Sequence, residues 1–132
     1  MKPERQSGFW RTRGKSFACA FRGVAMLLRT QANTRIHLLA TGLVIAAGFA
    51  FHVTRGEWTA LALAIGIVWI AEGANTAIEI LADRITRERD DQIGHAKDVA
   101  AGAVLLAAII AALIGVIILG PHLWALLCGH SD

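Results

Sequence analysis

The sequence predicts an all-α membrane protein with a single domain: three transmembrane helices preceded by an amphipathic helix at the membrane interface. Of its 132 residues, 55% are hydrophobic, and the mean hydropathy is positive. This composition is too apolar for a soluble domain of that size. Three apolar segments, about 36–53, 58–84 and 99–119, come near the ~20 residues that a helix needs to cross a bilayer. They are the three predicted spans.

The interfacial helix is predicted at about residues 9–30. Apolar side chains recur there at helical spacing, against a face of arginines and lysines; they are Trp10, Phe17, Phe21, Val24 and Leu28. This pattern is typical of a helix that lies in the membrane interface. Packing of the same face against the protein's own helices is the alternative.

Residues 31–37 join this helix to the first span. Asn33 and Thr34 are predicted to start the next helix, and we expect Arg35 and His37 to reach toward the lipid headgroups. After the first span, His52, Arg55 and Glu57 are expected in a short turn. Trp58 then fits an aromatic belt at the interface.

Basic residues predict the orientation of the spans in the membrane. They are concentrated before the first span and in the connection between the second and third spans: Lys2, Arg5, Arg11, Arg13, Lys15, Arg22, Arg29, Arg35, Arg84, Arg87, Arg89 and Lys97. By the positive-inside rule, the amino terminus and that connection should face the cytoplasm. The net charge of +3 is modest and suits anionic headgroups better than nucleic acid.

The third span carries small residues at close intervals: Ala100, Ala103, Ala107, Ala108, Ala111, Ala112 and Gly115. Small residues at this spacing allow helices to approach closely, so we expect a tightly packed face. Three thin helices cannot enclose a polar site by themselves. We therefore expect neighbouring subunits to complete it in a homo-oligomer.

The second span contains three acidic side chains and one amide at helical spacing, Glu72, Asn75, Glu79 and Asp83. On a helix that turns by about 100° per residue, they fall within a sector of roughly 80°. We call this set the acidic stripe. Since a charge near the bilayer centre costs about 2.5–3.5 kcal/mol, the stripe indicates a functional site that faces protein or water.

Three kinds of function fit the acidic stripe. Mg²⁺ typically binds one or two carboxylates together with substrate phosphates, and Lys97 could add a positive charge for phosphate oxygens. Phosphoryl transfer is therefore one reading. An ion or proton pathway through Glu72 and a polar seam that only serves assembly are the others. Asp98 is expected to cap the helix of the third span.

Two segments resemble the signature of the small prokaryotic membrane kinases that phosphorylate diacylglycerol or undecaprenol. They are residues 72–84 (EGANTAIEILADR) and 96–105 (AKDVAAGAVL), and the likeness extends over about 17–118. The resemblance implies a homotrimer in the bacterial inner membrane. It also implies active sites between subunits at the cytoplasmic surface that use ATP and Mg²⁺.

The resemblance assigns roles to individual residues. Glu72 would be the general base on the lipid hydroxyl, and Glu79 would bind the metal. Asn75 and Asp83 would organise the nucleotide. Other positions implied by the family are Lys97 for the phosphates, Asp98 in support of Lys97, and Glu88 near the nucleoside.

Gln31 departs from the family pattern, which usually has a second metal-binding glutamate at this place. An amide oxygen can still bind Mg²⁺, with less negative charge at the site. A working kinase with a looser second metal is favoured over altered substrate use and over a weakened, kinase-like scaffold. Residues 33–37 and 101–106 resemble the undecaprenol-using branch more closely than the diacylglycerol branch, so undecaprenol is the favoured substrate and diacylglycerol the second.

Overall fold

The structure, a computed structural model, describes residues 5–30, 32–86, 88 and 90–129, with side chains from residue 13 to 29 and from 33 onward within these ranges. Every regular element there is an α-helix: α1 (Arg5–Thr30), α2 (Ala32–Ala50), α3 (Arg55–Ile85) and α4 (Asp91–Cys128). The prediction of an all-α protein is confirmed for the described residues.

Two of the helices, α3 and α4, are long and apolar enough to cross a membrane. The third predicted span corresponds to α2, which is shorter. Its amino-terminal turn is polar, and residues 36–50 cover only about 22 Å, less than the ~30 Å of a bilayer core. A full crossing by α2 therefore stays a prediction.

Helices α3 and α4 form an antiparallel pair that is held at both ends. Lys97 Nζ lies 3.1 Å from Asp83 Oδ1 at one end, and His122 Nε2 lies 3.3 Å from Glu57 Oε1 at the other. The segment of α3 from Glu57 to Asp83 is nearly as long as the segment of α4 from Lys97 to His122, so the two helices stay aligned between these contacts. We call these the Lys97 end and the His122 end.

Helix α4 begins earlier than the sequence predicted. Asp90 is its cap, because Asp90 Oδ1 accepts hydrogen bonds from the N–H groups of Gln92 and Ile93 at 2.9 and 3.0 Å. Asp98 lies two turns further along, so its predicted role as a cap was wrong. The connection between α3 and α4 is correspondingly short.

The start of α3 also differs from the prediction. Thr54 and Glu57 form a capping box: Thr54 Oγ1 accepts from Glu57 N at 3.3 Å, and Glu57 Oε2 accepts from Thr54 N at 2.7 Å. Arg55 and Glu57 are therefore helical rather than part of a turn. The turn is at 51–54, where His52 has a φ of 50°.

The packed face of α4 differs slightly from the predicted one. Ala100, Val104 and Ala107 are buried against the rest of the chain, whereas Ala103 is exposed. The spacing of the buried residues keeps one face of α4 on α3. The prediction of close packing by small residues holds for Ala100 and Ala107 and was wrong for Ala103 within this chain.

Helix α1 leaves its apolar face uncovered by the rest of the chain. Leu27 is buried, and its Cδ2 lies 4.0 Å from the position that a Cβ on Gly73 would take. The described apolar side chains of the predicted face, Phe17, Phe21, Val24 and Leu28, are exposed. Leu27 thus packs on the protein's own helices, and the predicted face is open to a lipid surface or to a neighbouring subunit. The side chain of Trp10 lies outside the described residues.

Gly48 of α2 lies directly against the Trp58 side chain of α3. A Cβ at this position would lie 2.7 Å from Cη2 of Trp58, and the Trp58 ring also contacts Phe49 with centroids 5.0 Å apart. Trp58, predicted at the aromatic belt, thus packs between the two helices.

Replacing Gly48 with alanine is expected to destabilise the protein by about 1–3 kcal/mol, because the added methyl group must displace the indole or separate the helices. Thermal unfolding in detergent measures the effect. Gly42→Ala on the same helix is the control, since a Cβ there meets nothing within 4 Å. Equal stability of the two variants would contradict the close approach.

Candidate active site

The acidic stripe runs from the interior of the protein to its surface along α3. Glu72 is 1% and Asn75 6% exposed, Glu79 is half-buried, and the Asp83 side chain is 70% exposed. All four lie on one continuous helix. The stripe thus opens toward solvent at the Lys97 end.

Glu72 lies at the buried end of the stripe with weak partners. Thr34 Oγ1 donates to Glu72 Oε1 at 3.4 Å, and His37 Nε2 lies 3.9 Å from Glu72 Oε2. Within the described part of the chain, Oε2 has no hydrogen-bond partner. A buried carboxylate with so little compensation lowers stability, so this position is better explained by chemistry than by folding.

Thr34 and His37 are site residues that sequence reasoning missed. Thr34 was predicted to start the helix, but α2 begins at Ala32, and the Thr34 side chain is buried beside Glu72. His37 was expected at the headgroups and instead faces the same carboxylate. Their spacing was a usable signal, because Thr34, His37 and Thr41 share one face of a helix. Thr41 accepts a hydrogen bond from Trp69 Nε1 at 3.1 Å.

Asn75 and Glu79 form the middle of the stripe. Asn75 Nδ2 donates to Glu79 Oε1 at 3.0 Å, which fits two residues one helical turn apart. Asn75 Oδ1 is buried and has no partner among the described residues. The two side chains are therefore held side by side, with the amide nitrogen of Asn75 toward the Glu79 carboxylate.

Lys97 reaches the outer end of the stripe from α4. Its ammonium lies 3.1 Å from Asp83 Oδ1, and the two side chains are 40% and 70% exposed. An ion pair with this exposure contributes at most about 1 kcal/mol to stability. Its importance is that it places a cation beside the acids.

The remaining predicted site residues are Glu88, Asp98 and Gln31. Glu88 is exposed in the connection between α3 and α4, and its N–H donates to Thr86 Oγ1 at 3.0 Å. Asp98 is exposed on α4, next to Lys97. Gln31 lies outside the described residues.

The stripe fits a magnesium ion that is delivered with a nucleotide. The described residues hold no group of three or more acidic, histidine or cysteine side chains arranged for a metal. Glu79 and the unpartnered Asn75 Oδ1 nevertheless provide two oxygen donors. Mg²⁺ commonly takes few protein ligands and fills its remaining positions with phosphate oxygens and water.

An apolar groove of about 920 Å³ runs between α2, α3 and α4. Leu61, Ala64 and Val68 line its α3 side, and Glu72 continues the same helix face. His37 belongs to the lining on α2. The groove and the buried carboxylate are therefore neighbours, with the imidazole beside both.

Comparisons with known proteins agree on one family. The family profile described as "Prokaryotic diacylglycerol kinase" matches residues 18–119. A protein named undecaprenol kinase from Bacillus subtilis (strain 168) is 39% identical over 109 residues, which is 83% of this chain and 89% of that protein. A protein named diacylglycerol kinase from Synechocystis sp. is 40% identical over 113 residues, 85% of this chain and 65% of that protein.

Proposed function

Because the chain belongs to the prokaryotic diacylglycerol kinase family, we propose that it transfers the γ-phosphate of ATP to the hydroxyl group of a membrane lipid alcohol at the acidic stripe. Family membership makes it a lipid kinase. The observation that supports this site most strongly is Glu72, a buried carboxylate with an uncommitted oxygen beside an apolar groove. Lipid and carboxylate can meet there without water.

In this mechanism Glu72 accepts the proton of the lipid hydroxyl. The lipid oxygen then forms a bond to the γ-phosphorus, and the bond from that phosphorus to the β,γ-bridging oxygen breaks. ADP leaves with the electron pair of the broken bond, and the product is a lipid phosphate. A positioned base contributes typically 10²–10⁴-fold to such a step.

The outer half of the stripe would bind the nucleotide. Lys97 and Asp83 form the cationic and anionic edge of the site, 3.1 Å apart, and Lys97 would exchange Asp83 for phosphate oxygens. Asp98 would support Lys97, and Glu88 would lie near the nucleoside. Glu79 and Asn75 would hold Mg²⁺, which neutralises charge on the phosphates when bound. Gln31 would supply a weaker second metal ligand.

We favour undecaprenol over diacylglycerol as the lipid alcohol. The support comes from residues 33–37 and 101–106, which resemble the undecaprenol-using branch. The two relatives carry different substrate names at nearly equal identity and do not separate the choices. We also propose a homotrimer in the bacterial inner membrane with the amino terminus in the cytoplasm, which would cover part of the exposed apolar surface.

A parallel transfer assay tests this function. Purified protein in mixed micelles, with radiolabelled ATP and Mg²⁺, is expected to label undecaprenol faster than diacylglycerol. Gel filtration and circular dichroism confirm that the protein is folded. Faster labelling of diacylglycerol would reverse the substrate preference. No labelling of any lipid alcohol by folded protein would contradict the kinase assignment itself.

A further inference from the structure

We propose that His37 is a positioning residue for the base: its imidazole Nε2–H donates a hydrogen bond to Glu72 Oε2 when a lipid alcohol enters the groove. With Thr34 on the other oxygen, this contact would hold the carboxylate in the plane from which it takes the substrate proton. The role of His37 presupposes the proposed function of Glu72.

The geometry around Glu72 points to a donor that is close but not yet engaged. Nε2 of His37 is 3.9 Å from Oε2, and the two side chains are 16% and 2% exposed. This distance is too long for a hydrogen bond, while Oε2 is without one in the described part of the chain. Hydrogen bonds of catalytic groups often tighten only when substrate binds, and a small rotation of the imidazole closes the gap.

A single donor does not fix the carboxylate. The contact from Thr34 Oγ1 to Oε1 is 3.4 Å long, and the terminal torsion of a glutamate side chain has a broad energy profile. A base must lie within hydrogen-bond reach of the proton that it removes, and a misplacement of ~1 Å can cost about 100-fold in rate. A second donor on Oε2 removes this freedom.

The groove explains why the contact would respond to the lipid. His37 and Thr41 are polar side chains in its lining, and Thr41 already accepts the Trp69 indole N–H. His37 therefore remains as the polar lining side chain turned toward Glu72. A lipid chain that fills the apolar groove contacts this imidazole, because His37 belongs to the lining.

Two substitutions at position 37 separate positioning from packing. His37→Gln keeps an amide N–H donor at similar reach, whereas His37→Leu keeps bulk and removes the donor. We expect His37→Leu to lower kcat about 10–100-fold with an unchanged KM for ATP, and His37→Gln to recover most of that loss. His122→Leu removes a histidine that contacts a glutamate, Glu57, at the opposite end of the α3–α4 pair; it is the control and should keep the wild-type kcat.

The outcomes distinguish this role from the proposed function. Wild-type rates in His37→Leu, with active wild-type protein, would overturn the role of His37 alone. Equal losses in His37→Leu and His37→Gln would also overturn it, because they would indicate packing. Absence of transfer by the wild-type protein would overturn the base role of Glu72 and, with it, that of His37.

Discussion

Replacing Glu72 with glutamine is expected to lower kcat by about a thousandfold, because the amide cannot accept the proton of the lipid hydroxyl. Shape and volume are preserved, so lipid and nucleotide should still bind and both KM values should change little. Steady-state assays in mixed micelles, with the lipid and ATP concentrations varied in turn, measure kcat, the KM for the lipid and the KM for ATP.

The same substitution should leave thermal stability unchanged or raise it. Glu72 is 1% exposed, and its hydrogen bond from Thr34 is 3.4 Å long, so a neutral side chain removes the cost of burying an ionisable group. Loss of activity with undiminished stability is the expected behaviour of a residue kept for function. A parallel loss of both would assign Glu72 to the fold instead.

Glu57→Gln is the matched control for Glu72→Gln. Glu57 is a glutamate of the same helix, about 22 Å away along its axis, where it caps α3 and contacts His122. The substitution should lower stability modestly and leave kcat unchanged. If Glu57→Gln were as inactive as Glu72→Gln, the effect would come from α3 as a whole.

The acidic stripe could be predicted because it depends only on helical periodicity. Glu72, Asn75 and Glu79 share a face on any regular α-helix, and the structure keeps α3 unbroken through all of them. Lys97 was expected to join the acids from the connection that precedes the third span, whereas the structure places it on α4, which begins at Asp91 and passes Asp83. Helical periodicity was sufficient for the stripe but not for this helix boundary.

The orientation of α2 could not be predicted in this way. Whether His37 points to headgroups or to Glu72 depends on the rotation of α2 about its own axis, and contacts between helices, such as that of Gly48 with Trp58, contribute to that rotation. Helix ends were missed for a related reason. Asp90 and Asp98 are equally plausible caps by residue type, and the backbone at position 90 alone adopts the extended conformation that capping requires.

Replacing Glu79 with glutamine is expected to lower kcat by at least about a hundredfold and to raise the Mg²⁺ concentration needed for half-maximal activity. The carboxylate supplies the charge that a hard cation prefers, and an amide oxygen keeps the geometry without that charge. Activity measured over a range of Mg²⁺ at fixed ATP separates the two effects. Excess Mg²⁺ should restore part of the rate.

The uncharged side chain at position 31 makes the expected dependence on Glu79 stronger. Gln31, the proposed second metal ligand, carries no charge, so Glu79 would be the main source of negative charge for the metal. Gln31→Glu should therefore lower the Mg²⁺ requirement of the wild-type protein and partly compensate Glu79→Gln. Asp91→Asn, which removes an exposed acid in the first turn of α4, is the control for general loss of charge near the site. If it shifted the Mg²⁺ requirement as far as Glu79→Gln does, the cation would be attracted by surface potential rather than bound by Glu79.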